Sequence, residues 1–308
     1  MDRSLVLALM STGVFAFSSV IFAVFAKKVS AIWMNAFKAT VALVAFSVAV
    51  LITGDWKDLP AAKSLVAFVL SGFIGLNLGD YFLMKAFQRI GSSRTLIIFS
   101  FQPLMMALFA YLVFGQSLFI SGFIAILMMM ACVFTVSLEG YKKEGHWEIK
   151  GPLFAFIGVS LDCVGLLLTR YAFDADDSVS VLEGNLFRCF GAGLGFLFLA
   201  RFVRFQFKRR LQRFNWRTRA LLFGASFGGT FLALWLYLSA ISEGHLAKIT
   251  AIVGSGPLFT AVFEALLYRK FPSKYLWTAL ALFLMGFFLL HWNDWAPAIE
   301  KLFFQLSF

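Results

Sequence analysis

Long runs of apolar residues separated by short polar stretches dominate the chain. Ten of these runs have about the 20 residues that a helix needs to cross a bilayer core of about 30 Å. Because unpaired backbone groups are not tolerated in lipid, each run predicts a transmembrane α-helix. The predicted spans are residues 4–26, 32–53, 64–87, 94–114, 117–138, 151–173, 180–203, 219–242, 247–268 and 275–292. We therefore predict an all-α integral membrane protein with ten transmembrane helices.

The composition strengthens this prediction. Of the 308 residues, 61% are hydrophobic and 14% are charged, whereas an average soluble domain is about half apolar and about a quarter charged. Cys132, Cys163 and Cys189 lie inside apolar runs without the spacing of a metal site, and the three histidines are scattered. We therefore predict no metal site, no cofactor and no catalytic residue, and hence a protein that is not an enzyme.

The basic residues are distributed unevenly between the two sets of predicted loops. Loops after odd-numbered helices hold 18 of the 27 Lys and Arg residues, and the opposite side holds six. The positive-inside rule then places the odd loops in the cytoplasm and both termini outside. Residues 201–219 mix Arg with Phe and Trp, a pattern more typical of a loop on anionic lipid than of a nucleic-acid site. The tail 295–308 is too short to span, and we predict that it lies in the membrane interface.

One long segment of the chain is similar to another. A shift of 154 residues aligns residues 84–114 with residues 238–268 without a gap, and seven of the 31 positions are identical. One of the identities pairs Pro103 with Pro257. Each proline removes one helix hydrogen bond, so we predict either a hinge or a static kink at both places.

A second match, at an offset of 150 residues, pairs Asn35 with Asn185 and Lys38 with Arg188. The two matches together indicate a repeat of five spans. Because five is an odd number, the second half enters the membrane inverted relative to the first. Inverted repeats build a central site near the midplane that each face can expose in turn. The repeat therefore predicts a carrier.

Four features recur in both halves: five spans, a basic residue early in the second helix, an aromatic-rich helix ending (residues 81–87 and 235–241), and a proline ten residues into the fourth helix. Together they resemble the drug/metabolite transporter superfamily, specifically its EamA-like members, over essentially the whole chain. The resemblance implies a secondary transporter for small metabolites, often an exporter of amino acids or related compounds. It also implies cytoplasmic termini, in contrast to the charge count, so the orientation stays open.

Ionisable residues lie inside predicted spans, where each costs at least a few kcal/mol and needs a partner or a function. From a helix rise of about 1.5 Å per residue, Lys38 and Asp80 lie roughly 10 Å below the odd-loop side. Arg188 and Asp162 lie about 12 Å and 16 Å below the even-loop side on the same basis. Two interpretations remain: structural salt bridges between helices, or side chains that border a central cavity and bind a polar substrate. The second suits a zwitterion such as an amino acid, with its carboxylate on Arg188 or Lys38.

Other residues on the helices expected to face the cavity complete the predicted site. The predicted substrate-binding set is Lys38, Asn77, Asp80, Tyr81, Asp162, Arg188, Trp235 and Tyr237. Asp162 is the deepest carboxylate and therefore the candidate for proton coupling. Lys85, Glu183 and Glu264 lie near helix ends, and we expect them to reach the interface.

The repeat and the ionisable residues predict a secondary active transporter that moves a small polar metabolite by alternating access. The resemblance implies that it is an exporter, and we expect it in a bacterial inner membrane. The alternatives are an uptake or exchange carrier for a nucleobase, a choline-like cation or a sugar-linked anion, and a membrane scaffold without transport. The expected partners are a small-molecule substrate and the lipid bilayer, not nucleic acid, with the chain as a monomer or a homodimer. Residues 1–146 and 147–294 are the predicted five-helix repeats, and residues 295–308 are the tail.

Overall fold

The computed structural model describes residues 2–26, 29–55, 59–141, 150–202, 206–267, 269, 271 and 273–290. All regular elements among these residues are helical. The predicted interfacial tail 295–308 lies outside the described residues. In chain order the elements are α1 (Arg3–Ala26), α2 (Ala31–Thr53), α3 (Ala62–Ser71), the π-helical segment π1 (Gly72–Gly79), α4 (Asp80–Phe99), α5 (Gln102–Phe114), α6 (Ile120–Tyr141), α7 (Lys150–Ala175), α8 (Val181–Leu199), α9 (Phe207–Gln212), α10 (Trp216–Ser226), the π-helical segment π2 (Phe227–Leu232), α11 (Ala233–Glu243), α12 (Leu246–Gly254), α13 (Gly256–Leu267) and α14 (Lys274–Leu290).

Seven helical stretches among the described residues are long and apolar enough to cross a membrane. Three shorter apolar helices accompany them: α5, the greater part of α6, and α14. Large apolar side chains also cover the outer surface, where Leu51 is 77% exposed and Ile120 is 81% exposed. Such a surface is expected where lipid is the solvent. The all-helical architecture is thus confirmed, and the number of ten transmembrane helices stays a prediction.

Serine caps begin the two helices that carry the predicted basic residues. At the start of α2, the Ser30 hydroxyl accepts a hydrogen bond from the Trp33 backbone N–H at 3.3 Å. At the start of α8, Ser180 and Glu183 form a capping box, in which each side chain accepts a hydrogen bond from the other's backbone N–H. Both caps satisfy N–H groups that have no partner within the helix. The local sequence therefore specifies where α2 and α8 begin.

The helical run of α4 bends back on itself. Ile90 packs so closely on Gly151, at the start of α7, that an added Cβ on the glycine would overlap it. Gln102 nevertheless donates a hydrogen bond to Asp162, in the middle of α7. Between Ile90 and Gln102, a straight helix would have carried the chain about 18 Å further from Asp162. The chain instead turns back along α7. The predicted spans 64–87 and 94–114 are therefore separate segments, although no loop lies between them.

The two halves interlock through equivalent elements. π1 packs against α7 and α8 of the second half, and π2 packs against α1 and α2 of the first. The helices α2 and α8 lie antiparallel, because Asn35 and Phe196 line one cavity while Leu43, further along α2, faces Gly193, further back along α8. These helices, equivalent in the two halves, therefore run in opposite directions side by side.

Glycines allow the backbones to approach closely at this interface. A Cβ on Gly72 of π1 would overlap the backbone carbonyl of Arg188, and one on Gly191 would overlap the carbonyl of Val69. Small residues at helix interfaces are the usual means of tight packing within membranes. Here they bring the backbone of α8 against α3 and π1, and with it the side chain of Arg188.

Candidate functional site

The π1 segment is the central support of the site. Gly72, at its start, lies against the backbone of Arg188, and Gly75 lies beside the carboxylate of Asp162. Asp80 follows directly after its last residue. π-helical turns within α-helices occur frequently at functional sites. The structure thus brings three of the four predicted ionisable side chains to one helical segment.

A chain of hydrogen bonds holds the Arg188 guanidinium. Its Nε donates to the Ser71 hydroxyl at 2.9 Å, and the hydroxyls of Ser71 and Thr169 lie 2.6 Å apart. The Thr169 hydroxyl donates to the carbonyl of Gly165 at 2.8 Å. Because the Thr169 proton is used there, the Ser71 hydroxyl must donate to Thr169. The chain therefore fixes the orientation of Arg188 and joins α8 to α3 and α7.

The rest of the Arg188 guanidinium lacks a full set of partners. The residue is 1% exposed, and its Nη1 has no hydrogen-bond acceptor among the described residues. The partner predicted for the Arg188 guanidinium is the carboxylate of Asp162. However, no nitrogen of Arg188 lies within 4.0 Å of an Asp162 oxygen. The predicted Arg188–Asp162 salt bridge is thus not formed in this structure.

Asp162 is held from another side. The Gln102 side-chain amide donates a 2.5 Å hydrogen bond to its Oδ2, while Oδ1 faces Gly75. The residue is half-buried although it lies in the middle of α7, so part of it remains accessible. A carboxylate in this setting can accept a further hydrogen bond or a positive charge.

Lys38 of α2 and Asp80 of α4 lie on helices that contact each other, but they form no ion pair. Their charged atoms do not approach within 4.0 Å. The Lys38 ammonium lies over the ring of Phe22 at 5.0 Å from its centroid, a cation–π contact. Both Lys38 and Asp80 are half-buried.

A small cavity lies between the start of α2, the end of α8 and the stretch from π1 into α4. Asn35, Asn77 and Tyr81 contribute its polar lining, and its volume of about 10 Å³ is space for about one water molecule. Asn77 is 2% exposed, and its Nδ2 has no hydrogen-bond partner among the described residues. Two predicted site residues, Asn77 and Tyr81, therefore share this cavity.

Comparison with known proteins assigns the architecture. The family model of the EamA-like transporter family matches residues 3–138 and again residues 149–292. The chain belongs to the EamA-like transporter family. Its two matched segments correspond to two repeats, and the resemblance to the drug/metabolite transporter superfamily is confirmed.

A solved crystal structure has a similar fold. It is 16% identical in sequence and superimposes with a TM-score of 0.73, covering 92% of this chain and 96% of its own. At this identity the similarity shows the fold alone. No curated protein matches the chain. The family match and the long apolar helices together show that this EamA-like transporter is a multi-pass membrane protein of a family that transports small molecules.

The two predicted aromatic residues of α11 lie in different surroundings. Tyr237 packs on the hydrophobic core that includes Cys163 and Leu166 of α7, and α11 also contacts α8. Trp235, two residues earlier and so on another face of the helix, is 39% exposed. The structure therefore directs Tyr237 toward the helices that carry Asp162 and Arg188 and leaves Trp235 apart from them.

The predicted hinge prolines stand at matching breaks. Pro103 lies in the first turn of α5, after the break that follows α4. Pro257 lies in the first turn of α13, directly after α12 ends at Gly254. A proline in the first helical turn costs no internal hydrogen bond. Each proline therefore follows a break between two helices. The predicted loss of a hydrogen bond within a helix is wrong at both places. Their role as hinges stays a prediction.

The residues predicted at helix ends have local partners where the structure describes them. Lys85 lies over the ring of Tyr81, one helical turn earlier, at 5.7 Å. Glu183 belongs to the α8 capping box. The side chain of Glu264 lies outside what the structure describes.

Three residues that hold the ionisable side chains were not predicted from the sequence: Gln102, Ser71 and Thr169. Gln102 had a signal, because it is a polar residue in an apolar run directly before Pro103. Ser71 and Thr169 had none, since buried hydroxyls in membrane helices commonly bond to their own backbone, as Thr12 does to Ala8. The two π-helical segments were likewise missed.

The cluster has the chemistry of a polar binding site. It combines two cations, two carboxylates and the Tyr237 hydroxyl, so it can bind groups of either charge through charge-assisted hydrogen bonds. Among the described residues, no group of three or more His, Cys, Asp or Glu side chains could hold a metal ion. We call the set Lys38, Asp80, Gln102, Asp162, Arg188 and Tyr237 the charged cluster.

Proposed function

We propose that this EamA-like transporter is a secondary carrier that moves a small polar metabolite, such as an amino acid or a related compound, by alternating access. In this proposal ten transmembrane helices form two inverted five-helix repeats, residues 1–146 and 147–294. The protein lies in a bacterial inner membrane, and the net direction of transport is export.

One observation carries the proposal: the charged cluster contains two basic and two acidic side chains without an ion pair within 4.0 Å among them. Ionisable residues at membrane depth are costly and mark substrate or ion pathways. If they served only to hold helices together, direct pairing would give the better energy. Lys38 and Asp80 come from the first half, and Asp162 and Arg188 from the second. Both halves thus contribute to the cluster, as they would to a site shared by two inverted repeats.

The pseudo-symmetric breaks support alternating access. The chain breaks between α4 and α5 and again between α12 and α13, and a proline follows each break. Gln102, at the first break, holds Asp162 of the charged cluster. Movement at that break would therefore change the environment of a site carboxylate directly. This links substrate binding to the rocking of one repeat against the other.

Counterflow in proteoliposomes tests the proposal. Vesicles containing the purified protein are loaded with one unlabelled compound and then exposed to the same compound with a label. The panel contains amino acids, nucleobases, choline-like cations and sugar phosphates. We expect exchange of amino acids or related compounds, and a fall to background in Asp162→Asn. A labelled compound that cells expel faster when they produce the protein would establish export.

Asp177→Asn is the matched control, because Asp177 is exposed outside the helices and forms no hydrogen bond among the described residues. Exchange should be unchanged in this variant. Exchange that persists in Asp162→Asn, or the absence of exchange for every compound by well-folded protein, would contradict the proposed function.

A further inference from the structure

We propose that Arg188 anchors a carboxylate of the transported compound. The inference rests on the proposed function and makes it more specific, because it assigns one chemical group of the substrate to one side chain. Arg188 is the only basic residue of the charged cluster that the described structure holds through a hydrogen bond to its charged group.

The hydrogen bond at Nε sets the orientation of the Arg188 guanidinium. A guanidinium is planar, so a hydrogen bond at Nε also sets the direction of both Nη atoms. The bond to Ser71, itself fixed by Thr169, therefore orients the outer edge of the group. A preorganised fork of this kind matches a carboxylate, which accepts two parallel hydrogen bonds.

Nη1 of Arg188 lacks a hydrogen-bond acceptor among the described residues. A buried charged donor without a partner is unfavourable, because nothing replaces the hydrogen bonds it would make to water. Nη1 is such a donor, and neither Ser71 nor Asp162 satisfies it. A carboxylate of the substrate supplies the missing acceptor and removes this cost. Binding energy is therefore available specifically to a ligand with an anionic oxygen at this position.

The acidic residues near Arg188 limit the charge of the ligand. Asp162 and Arg188 both contact π1, at Gly75 and at Gly72, and Asp80 directly follows that segment. Two carboxylates near the anchor repel a dianion such as a phosphate monoester, and Arg188 repels a simple cation. A group with one negative charge, and with a positive charge close to it, suits both Arg188 and Asp162. An α-amino acid has this arrangement.

Lys38 is less suited to the role. Its ammonium is a single point charge on a flexible stem, without the fork that binds a carboxylate through two bonds. It is half-buried and lies over the Phe22 ring. Arg188 is therefore the residue that selects the carboxylate.

The test compares matched ligands on the purified protein in detergent. The unfolding midpoint is measured with the common L-amino acids and, for each one that raises it, with its carboxamide and its decarboxylated amine. A ligand that binds only the folded state raises the midpoint by mass action. We expect at least one amino acid to bind, and its carboxamide and amine to bind at least about tenfold more weakly, because both lose the charge-assisted bonds.

Variants then assign the effect to Arg188. Arg188→Lys keeps the charge but loses the fork, and we expect at least about tenfold weaker binding. Ser71→Ala keeps the guanidinium but removes the acceptor of its Nε, so binding should weaken by a smaller factor. Arg3→Gln is the control, because Arg3 is an exposed residue whose partner is Glu243, away from the cluster. If Arg188→Lys does not fold, Ser71→Ala and the ligand comparison in the natural protein decide the question.

The inference is overturned by equal binding of an amino acid and its carboxamide, by undiminished binding in folded Arg188→Lys, or by the absence of a shift with every amino acid. These failures differ from failure of the proposed function. Counterflow of a compound without a carboxylate, abolished by Asp162→Asn, would overturn the anchor and leave the transport function standing.

Discussion

The helices α2 and α8 are equivalent in the two halves, and their comparison shows how one sequence pattern acquires two uses. Both begin at a serine cap, Ser30 in α2 and Ser180 in α8. Eight residues later α2 has Lys38 and α8 has Arg188. Arg188 is 1% exposed and bonded through Nε, whereas Lys38 is half-buried with its ammonium over an aromatic ring.

The two basic residues differ because α2 and α8 pack against different elements. α8 packs against α3 and π1, which supply the hydroxyl of Ser71 and the small residue Gly72. α2 packs against π2 and α1, and α1 supplies the Phe22 ring. A hydroxyl chain orients a guanidinium, while a ring attracts an ammonium without fixing its direction. The repeat therefore pairs a basic group held by a hydrogen bond with one that lies over an aromatic ring.

Exchanging the basic residues gives the largest expected effect. Arg188→Lys should lower the transport rate at low substrate concentration by about a hundredfold, because charge-assisted bonds to the substrate are lost. The reciprocal variant Lys38→Arg should lower it by less than about threefold, because a point charge at that position is enough. Counterflow measured on both variants at equal protein content checks the difference. Equal losses in the two variants would mean that the basic residues have the same role.

Gly72→Ala tests the close approach that positions Arg188. The new Cβ would overlap the Arg188 carbonyl, so we expect a loss of about 1–3 kcal/mol in the free energy of unfolding. Gly224→Ala is the control, because nothing lies within 4 Å of a Cβ at that helical glycine. It should be neutral or stabilising by up to about 1 kcal/mol. Denaturant unfolding of both proteins gives the comparison, and a Gly72→Ala protein of natural stability would contradict it.

Phe22→Leu tests the cation–π contact of Lys38. Loss of the ring beneath Lys38 should cost about 0.5–1 kcal/mol of interaction, and so change substrate affinity by about two- to fivefold. Phe25→Leu is matched in chemistry, since Phe25 belongs to the same hydrophobic cluster but packs edge-to-face on Phe214. It should lower stability without altering affinity. Thermal-shift titration with the substrate separates the two effects, and equal affinities in both variants would exclude a role for the ring.

The smallest effect concerns the loop before α8. Hydrogen bonds from the Ser178 hydroxyl and from the backbone N–H groups of Ala61 and Ser178 lower the pKa of Asp176. A lowered pKa stabilises the fold above the unfolded value of about 3.9 and ceases to do so as the pH falls through the folded value. Asp176→Asn should therefore lower the unfolding midpoint slightly at pH 7, and the difference from the natural protein should shrink below about pH 4. A difference independent of pH, or one equally large in Asp177→Asn, would contradict this.

Much of the architecture could be predicted from local pattern. The apolar runs located the helices, with α2 observed at Ala31–Thr53 against a predicted span of 32–53. The offset between the matching segments indicated two repeats, which the family match confirms. Boundaries were less predictable where the chain turns without a polar loop. Residues 88–93 were expected to connect two spans, but they belong to the bent helical run of α4.

The site could be predicted only in part. Charges within apolar runs pointed to Lys38, Asp80, Asp162 and Arg188, because lipid makes such residues rare. Whether these residues form ion pairs could not be derived from their depth in the membrane. Depth allowed two salt bridges, but the structure has no ion pair within 4.0 Å among these four residues. Gln102 and Ser71 enter the site through contacts between distant segments. Periodicity carries no information about such contacts.

The sequence by itself determined that the chain is helical, rich in apolar surface and built from two related halves. Each of these properties depends on residue spacing along the chain, which any local stretch already contains. Only the tertiary structure decided which donors and acceptors are satisfied. Arg188 meets Ser71 from 117 residues away, and that contact exists only because glycines let α8 approach π1. A hydrogen bond needs a donor–acceptor distance of about 3 Å, with a tolerance of a few tenths of an ångström, and the packing of the helices sets that distance.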